Sequence, residues 1–433
     1  MPRIAFATLG CKINQVDTAH LEKDFAAAGY QIVDWPGPAE VYVVNTCTVT
    51  ARADRQSRQM VYRARRANPD ALVVVTGCGP ISGGGKTDAY PDADLITGNV
   101  EKHEMVQLVE HHRTGETERV IGDVAGDHSI VGSDAALISG RVRAFVKVQN
   151  GCPANCAYCI IPSVRGPSRS VPVDTVMQTI GDLLAMDQQE IVLTGIHLGA
   201  YGADLSTPTD IAALCREILE QTEIPRLRLS SIEPLEVGDD LLEVMAADSR
   251  FCHHLHIPLQ SGCDRILRLM NRPYDVSSYE KLADKCRQQV PDITLGADLM
   301  VGFPGETEND FAETMETLTR LQLPHVHVFP YSDRPGTAAD AMKEKTPSEV
   351  TSYRAAQVRE LCRSIQRGYR RAQIGRRLLV LVEQIDGKSF AKGKSRNYLP
   401  IKMAGSPPLG SELPVRIVAL TDDDELVGEV EKV

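Results

Sequence analysis

Three short apolar runs within the first 80 residues each end on a cysteine: "RIAFATLGC", "VYVVNTC" and "ALVVVTGC". All three are β-rich and read as strands. Between them lie helical patterns, "QVDTAHLEKDFAAAG" and "DRQSRQMVYRARRAN". Strands alternating with helices build a parallel sheet through right-handed crossovers. The three strands then run the same way. Cys11, Cys47 and Cys78 must leave from one carboxyl edge, where open α/β sheets hold their ligands. Topology thus gathers three thiols that lie 36 and 31 residues apart.

Residues 103–140 are polar and rich in Gly and Asp, and mark a boundary. A second alternation follows. "VRAFVKVQ", "QEIVLTG", "PRLRLSSI", "HHLHIPL", "DITLGADLMVGF" and "HVHVFPY" read as six strands, separated by helical stretches at 174–187, 210–221, 238–247, 263–271 and 306–321. Six βα units in series predict an incomplete β/α barrel with ligands in the loops after its strands. The first such loop is "NGCPANCAYCIIP", which holds Cys152, Cys156 and Cys159 in the spacing C-x3-C-x2-C. A basic helix near 349–371 comes next, then a tail of short alternating strands and Gly/Pro turns, as in a small β-barrel. The expected fold class is α/β: a parallel-sheet domain over 1–125, a partial (β/α)6 barrel over 138–368 and a small β-barrel over 371–433.

A chain of 433 residues exceeds what one core usually organises. No run reaches the ~18 apolar residues of a membrane span, and "MPRIAFATLGC" lacks the layout of a signal peptide. Eleven cysteines, an odd number spread over a long chain, argue against a secreted disulfide scaffold and for a reducing cytosol. The net charge of −11 is uneven: residues 354–402 carry +10 and the remainder −21. A second basic cluster, 51–66, has six Arg against one Asp. Such patches suit a localised polyanion contact, or are solvated helix faces.

Three soft thiolates satisfy all but one corner of an iron–sulfur cube, whose usual complement is four. The open iron can be chelated by a small molecule bearing an amine and a carboxylate, the arrangement used to cleave S-adenosylmethionine. The competing reading is zinc, with His197 or another distant residue as fourth ligand.

The C-x3-C-x2-C loop on a six-unit barrel resembles the radical S-adenosylmethionine superfamily. "TLGCKINQ", "NTCTVT", "VTGC", "LQSGCDRILRLMNRPY", "GFPGET" and "FPYSDRPGT" narrow the resemblance to methylthiotransferases. "TLGCKINQVD" with "RLSSIEP" most resembles the branch acting on N6-threonylcarbamoyladenosine in tRNA. The resemblance implies an enzyme that adds a methylthio group to C2 of the adenosine next to the anticodon, using S-adenosylmethionine and two [4Fe-4S] clusters. By the same resemblance, Cys152, Cys156 and Cys159 hold the catalytic cluster, and Cys11, Cys47 and Cys78 the second. Contacts to S-adenosylmethionine are expected from Tyr158, Thr194, Gly195, Ser230, Glu233, Gly302, Gly305 and Glu306. The implied partners are a tRNA anticodon stem-loop and an electron donor such as flavodoxin or ferredoxin, in the cytoplasm and away from membranes. Sister branches act on isopentenyladenosine in tRNA or on a ribosomal protein.

Several features have plainer readings. Thr194, Gly195, Ser230 and Glu233 are rim residues by topology alone, and His197 reads as a rim ligand-contact residue or a hydrogen-bonded rim histidine. "GFPGET" is also an ordinary strand-to-helix turn. His253, His254, His256, His325 and His327 read as packed or surface histidines. Cys215, Cys286 and Cys362 read as small core residues, while Cys252 fits no spacing and Cys263 falls at the rim. "GCGPISGGGKT" misses a phosphate loop because Pro80 stands where the first glycine is required. In the tail, which the family ends in a TRAM RNA-binding barrel, Arg370, Arg371, Arg376, Arg377, Lys388, Lys392, Lys394 and Arg396 are candidate phosphate contacts. Phe390 and Tyr398 are candidate stacking residues. The Arg-rich stretch 52–66 is a second candidate RNA contact.

Overall fold

The structure is a computed structural model, which describes residues 1–82, 89–112, 118–126, 130, 141–387 and 389–431. The sequence-read phosphate-loop remnant at Gly85–Thr87 and Lys388 lie outside these.

The first 120 residues form an all-parallel six-stranded sheet with spatial order Gln31–Val33, Arg3–Thr8, Val41–Thr46, Leu72–Gly77, Leu95–Thr97 and Glu118–Val120. Three of these strands were legible as cysteine-ended runs. The other three are only three residues long, too short for periodicity to mark. The polar boundary stretch contributes one of them, Glu118–Val120, and the helix Met105–His111. Helices cover both faces, so Val41–Thr46 is buried throughout and Leu72–Gly77 at every position after Leu72. The chain crosses from one side of Arg3–Thr8 to the other between the second and third strands. This reversal of winding makes the crevice between Arg3–Thr8 and Val41–Thr46 the switch point where such sheets take ligands.

Six parallel strands follow in sequence order as an open arc: Arg143–Lys147, Glu190–Thr194, Leu227–Leu229, His254–His256, Thr294–Val301 and His325–Pro330. The two three-stranded halves are joined by single bridges, Leu227 to Phe251 and Ser231 to His256. The outer helices carry ordinary stop and start chemistry. Thr307, for example, caps Glu308–Leu321 in a reciprocal pair with Asp310.

The helix Ser348–Arg371 packs beside the last barrel strand and leads into a closed five-stranded barrel, Arg377–Asp386 to Leu426–Val430. Val380, Val382, Ile401, Met403, Val415 and Ile417 fill it. This small barrel plugs the amino end of the large one. Arg226 bonds Glu412 at 2.6 Å, Arg396 bonds the Pro225 carbonyl at 3.3 Å, and Tyr398 stacks on His254 with ring centroids 4.3 Å apart.

Candidate iron–sulfur and S-adenosylmethionine site

The sheet topology places the first three thiols. Cys11 caps the helix Lys12–Ala27, Cys47 follows Val41–Thr46, and Cys78 opens the short helix Cys78–Ser82. Gly10 has φ +91°, and a Cβ there would lie 2.6 Å from Cys47 Sγ. The Cys11 loop thus reaches Cys47 because position 10 has no side chain. Asn14 Nδ2 donates to the Leu9 carbonyl at 2.8 Å and to the Thr46 carbonyl at 2.9 Å, lacing the two loops together. Burial pushes the Cys47 thiol up to about 12; the Val49 amide opposes this, and Cys78 and Cys11 add to it. Such thiols stay protonated unless a coordinating metal removes the proton.

The barrel sends one cation into this set. Arg165, 1 % exposed, donates to Asn14 Oδ1 at 2.5 Å and to Asn150 Oδ1 at 3.0 Å. Burial works against its charge, but Cys78, Asp17 and Cys11 outweigh it. Its Nε is buried without a partner.

The second set lies in the loop after Arg143–Lys147. A Cβ on Gly151 would sit 1.8 Å from the Pro167 carbonyl oxygen, so the loop folds back tightly there. The Cys152 amide donates to Gly166 O at 3.1 Å and the Ala157 amide to Met270 O at 2.9 Å. Cys156 Sγ accepts from Arg272 Nη1 at 3.1 Å, and Arg272 also pairs with Glu233. Cys152 Sγ lies 3.1 Å from His197 Nδ1, whose other nitrogen meets Glu236. Burial lowers the His197 pKa, yet its bonds to Cys152 and Glu236 prevail and raise it to about 10. Cys159 is pushed up to about 12, chiefly by burial.

The two sets meet back to back. Cys78 packs with Ile160 and Val164 in one buried apolar cluster, and Ile160 directly follows Cys159. Asn99 Nδ2 bridges them, 3.6 Å from Cys78 Sγ and 2.8 Å from the Val164 carbonyl. Beside this partition opens a cleft of about 210 Å³, with Val49 and Thr50 on one wall and Tyr158, Cys159, Asp298 and Phe329 among the others. Among the described residues, no three His, Cys, Asp or Glu side chains group to hold a metal ion as they stand. A four-iron cube carries its thiolates on separate corners rather than around one ion, and its soft ligand set is the one present. Three thiols per set, a buried arginine beside each, and the orphaned Ser230 Oγ and Arg165 Nε fit such clusters with a small polar cofactor.

The expected cofactor contacts divide. Tyr158 is half-buried, and desolvation raises its phenol well above the usual value. Glu233 shares a groove with Cys156, His197 and Arg272. Thr194 and Ser230 are buried at strand ends, and a Cβ on Gly195 would meet Gln149 Oε1 at 2.9 Å. In the "GFPGET" turn, Phe303 packs in one buried cluster with Ala157 and beside Tyr158, while its glycines and Glu306 meet other partners. Gly302 has φ +75° and a Cβ there would lie 2.2 Å from Thr351 Oγ1, while Glu306 is paired with Arg354 at 2.6 Å. Its packing against Ser348–Arg371 accounts for Gly302 and Glu306, and Gly305 sits in the same turn with φ +81°.

The tail also departs from expectation. Arg396 pairs with Glu412 at 2.5 Å, Arg376 with Asp292 at 2.7 Å and Arg377 with Glu431 at 3.0 Å. Lys392 faces Glu425 at 3.5 Å, Arg370 donates to the Asp424 carbonyl at 2.6 Å, and Lys394 lies over the Tyr398 ring. Tyr398 is therefore a plug rather than a free stacking surface; Phe390 and Arg371 stay exposed. Burial drops His254 well below its ordinary pKa and His325 to about 4. Cys215, Cys286 and Cys362 are buried on helices, Cys252 lies near Glu190, and Cys263 is turned to Asp310 at 3.3 Å. Sequence reasoning missed Arg165, Arg272, Gln149 and Glu236. Arg272 stands inside the quoted "NRPY", but its partners are distant in the chain.

Comparison with known proteins agrees with this geometry. Residues 146–318 match the Radical SAM superfamily, and residues 3–98 match a group described as Uncharacterized protein family UPF0004. The chain is 36% identical over 96% of its length to the threonylcarbamoyladenosine tRNA methylthiotransferase MtaB of Aquifex aeolicus, all of which is covered. It is 33% identical over 96% of its length to the protein of that name from Bacillus subtilis, 94% covered. A tRNA-2-methylthio-N(6)-dimethylallyladenosine synthase from Methylacidiphilum infernorum is 30% identical over 97% of this chain and 93% of its own. Among solved structures, the radical S-adenosylmethionine methyltransferase TsrM of Kitasatospora setae shares the fold, with a TM-score of 0.57 at 16% identity over 76% of this chain and 73% of that one. Fold, thiol placement and near full-length relatives converge: the chain belongs to the radical S-adenosylmethionine methylthiotransferase family.

Proposed function

We propose that this enzyme adds a methylthio group to C2 of N6-threonylcarbamoyladenosine next to the anticodon of tRNA. The observation that carries the reading is the buried cluster of Cys78 with Ile160 and Val164, which brings the N-terminal thiol loops against the barrel's cysteine loop, near a cleft lined by Val49, Thr50 and Cys159. Cys152, Cys156 and Cys159 would hold one [4Fe-4S] cluster and S-adenosylmethionine; Cys11, Cys47 and Cys78 would hold the other. When bound, these groups supply radical chemistry, sulfur and the methyl group.

The chain itself does the placing. Arg272 fixes Cys156 and offers a buried positive charge beside it, with Glu233 as its counter-charge. His197 wedges between Cys152 and Glu236, and Gln149 accepts its amide at 2.9 Å. Ile160 and Val164 keep water from between the two sets. An anticodon-loop base is already largely unpaired, so drawing it into the cleft costs little.

Nucleoside mass spectrometry of tRNA from a deletion strain tests the reading. Loss of the 2-methylthio form of threonylcarbamoyladenosine is expected. Loss of the isopentenyl form instead would assign the sister tRNA branch, and unchanged tRNA would point to a ribosomal protein. Anaerobic reconstitution should yield about eight irons per chain at four per cube. Replacing Cys152, Cys156 and Cys159 by Ala should halve that, and stoichiometric zinc would overturn it.

A further inference from the structure

The basic groups of this protein are spent unevenly. In the tail, Arg370, Arg376, Arg377, Lys392 and Arg396 are bonded within the fold, and Arg371 is exposed. The helix Ala51–Ala67 differs. Arg52, Arg55, Arg58, Arg63 and Arg66 are exposed, and none forms an ion pair with another described residue. Of the acidic residues around it, Asp54 pairs with Arg334 and Asp94 with Arg65 at 2.6 Å, which leaves Asp92 beside Arg55 and Arg58. Arg65 also serves the fold, donating to Pro69 and Ala71 carbonyls.

The free residues fall on one stripe. Arg52, Arg55, Gln59, Tyr62 and Arg66 recur at helical spacing, with Arg58 beside them, over about 21 Å. Tyr62 is 53% exposed and Arg66 stacks over its ring at 5.7 Å. Arg55, Arg58 and Tyr62 line a groove with Tyr90 and Pro91, whose one carboxylate is Asp92. The stripe begins at the cleft. Thr50, which caps this helix, is itself a cleft-wall residue, and Cys47 lies three positions before it. The small barrel, by contrast, sits at the opposite, amino end of the large barrel.

We infer that the phosphate backbone of the RNA entering the cleft lies along this stripe, with Tyr62 as an aromatic platform. This rests on the tRNA reading above and adds the surface that holds the strand. An unpaired basic face with an interleaved aromatic suits sugar–phosphate and base, and continuity with the cleft sets the direction of the strand. An acidic protein segment would also meet the charge, but gives no use for the exposed ring.

Fluorescence anisotropy of the full chain with a synthetic anticodon stem-loop RNA, titrated with KCl, tests this. Replacing Arg52, Arg55, Arg58 and Arg66 by Gln should weaken binding at least about tenfold near 0.1 M salt and flatten the log–log salt slope by about 3. A tail variant (Arg371→Gln, Arg377→Gln, Lys392→Gln) should change affinity less than about threefold. The four corresponding Arg→Lys changes should keep the slope. If the fourfold Gln variant misfolds by circular dichroism, single Arg55→Gln and Arg66→Gln changes should each remove about 0.7 of slope. Undiminished binding by the helix variants, or loss confined to the tail variant, overturns the inference and leaves the tRNA reading intact. Failure of the unaltered chain to bind the stem-loop would instead remove the tRNA reading, and the inference with it.

Discussion

Arg165 and Asn14 stand 151 residues apart in sequence, yet Arg165 Nη2 lies 2.5 Å from Asn14 Oδ1. The barrel thereby reaches into the N-terminal domain beside its three thiols. The same guanidinium is 3.5 Å from Asp17, which also accepts from Lys102 at 2.7 Å and from Lys147 at 2.6 Å. One buried carboxylate therefore anchors three cations drawn from both domains.

Asp17→Asn should loosen that junction sharply. It leaves three buried cations without a counter-charge, a change worth about 3–5 kcal/mol. Hydrogen exchange across Lys12–Ala27 and Arg143–Lys147 should accelerate accordingly.

The same residue sets an acid limit. Burial alone would raise the Asp17 pKa, but Lys102, Lys147 and Arg165 outweigh it and hold it far below the usual carboxylate range. A depressed folded pKa contributes stability that is complete above the unfolded value, about 3.9, and is lost as pH falls below it. Limited proteolysis should show an intact junction from pH 7 to about 5 and opening below about 4. Asp17→Asn should lack this dependence.

Gly10→Ala should cost the cluster proposed on Cys11, Cys47 and Cys78. The added Cβ would lie 2.6 Å from Cys47 Sγ at a positive φ. Iron after reconstitution should fall from about eight to about four per chain. Gly29→Ala, at φ +88° with nothing near its Cβ, is the control and should cost only about 1–2 kcal/mol of backbone strain.

Arg272→Gln should lower the reduction potential of the cluster on Cys152, Cys156 and Cys159. It removes a charged donor 3.1 Å from Cys156 Sγ, a contact worth about 1.5–3 kcal/mol. At 59 mV per 1.4 kcal/mol for one electron, the shift is roughly 60–120 mV. An EPR-monitored redox titration should show it in that signal and leave the N-terminal one unmoved.

Arg334 pins the cleft wall, donating to the Thr48 carbonyl at 3.1 Å and pairing with Asp54. Arg334→Ala should release the Thr48–Thr50 segment and raise KM for RNA about tenfold or more, as loss of a buried charged hydrogen bond would. kcat should move less, since no thiol is touched.

Periodicity carried far in this chain. β-rich runs that end on Cys11, Cys47 and Cys78 determine a parallel sheet with three thiols on one edge, because crossovers have one hand. The spacing of Cys152, Cys156 and Cys159 after a strand, and six βα units, determine the barrel and the end on which chemistry sits. These are local patterns, readable over ten to twenty residues. The crossing of the chain over Arg3–Thr8 and the shared cluster of Cys78, Ile160 and Val164 were decided by tertiary structure. So were the partners of the cations. Arg165 and Arg272 reach an amide, a thiol and carboxylates 39 to 151 residues away, and Arg396 spends its charge on Glu412 and Pro225. Composition counts charges but does not say which are neutralised, because a charge is quenched by whatever the fold sets within a few ångströms of it.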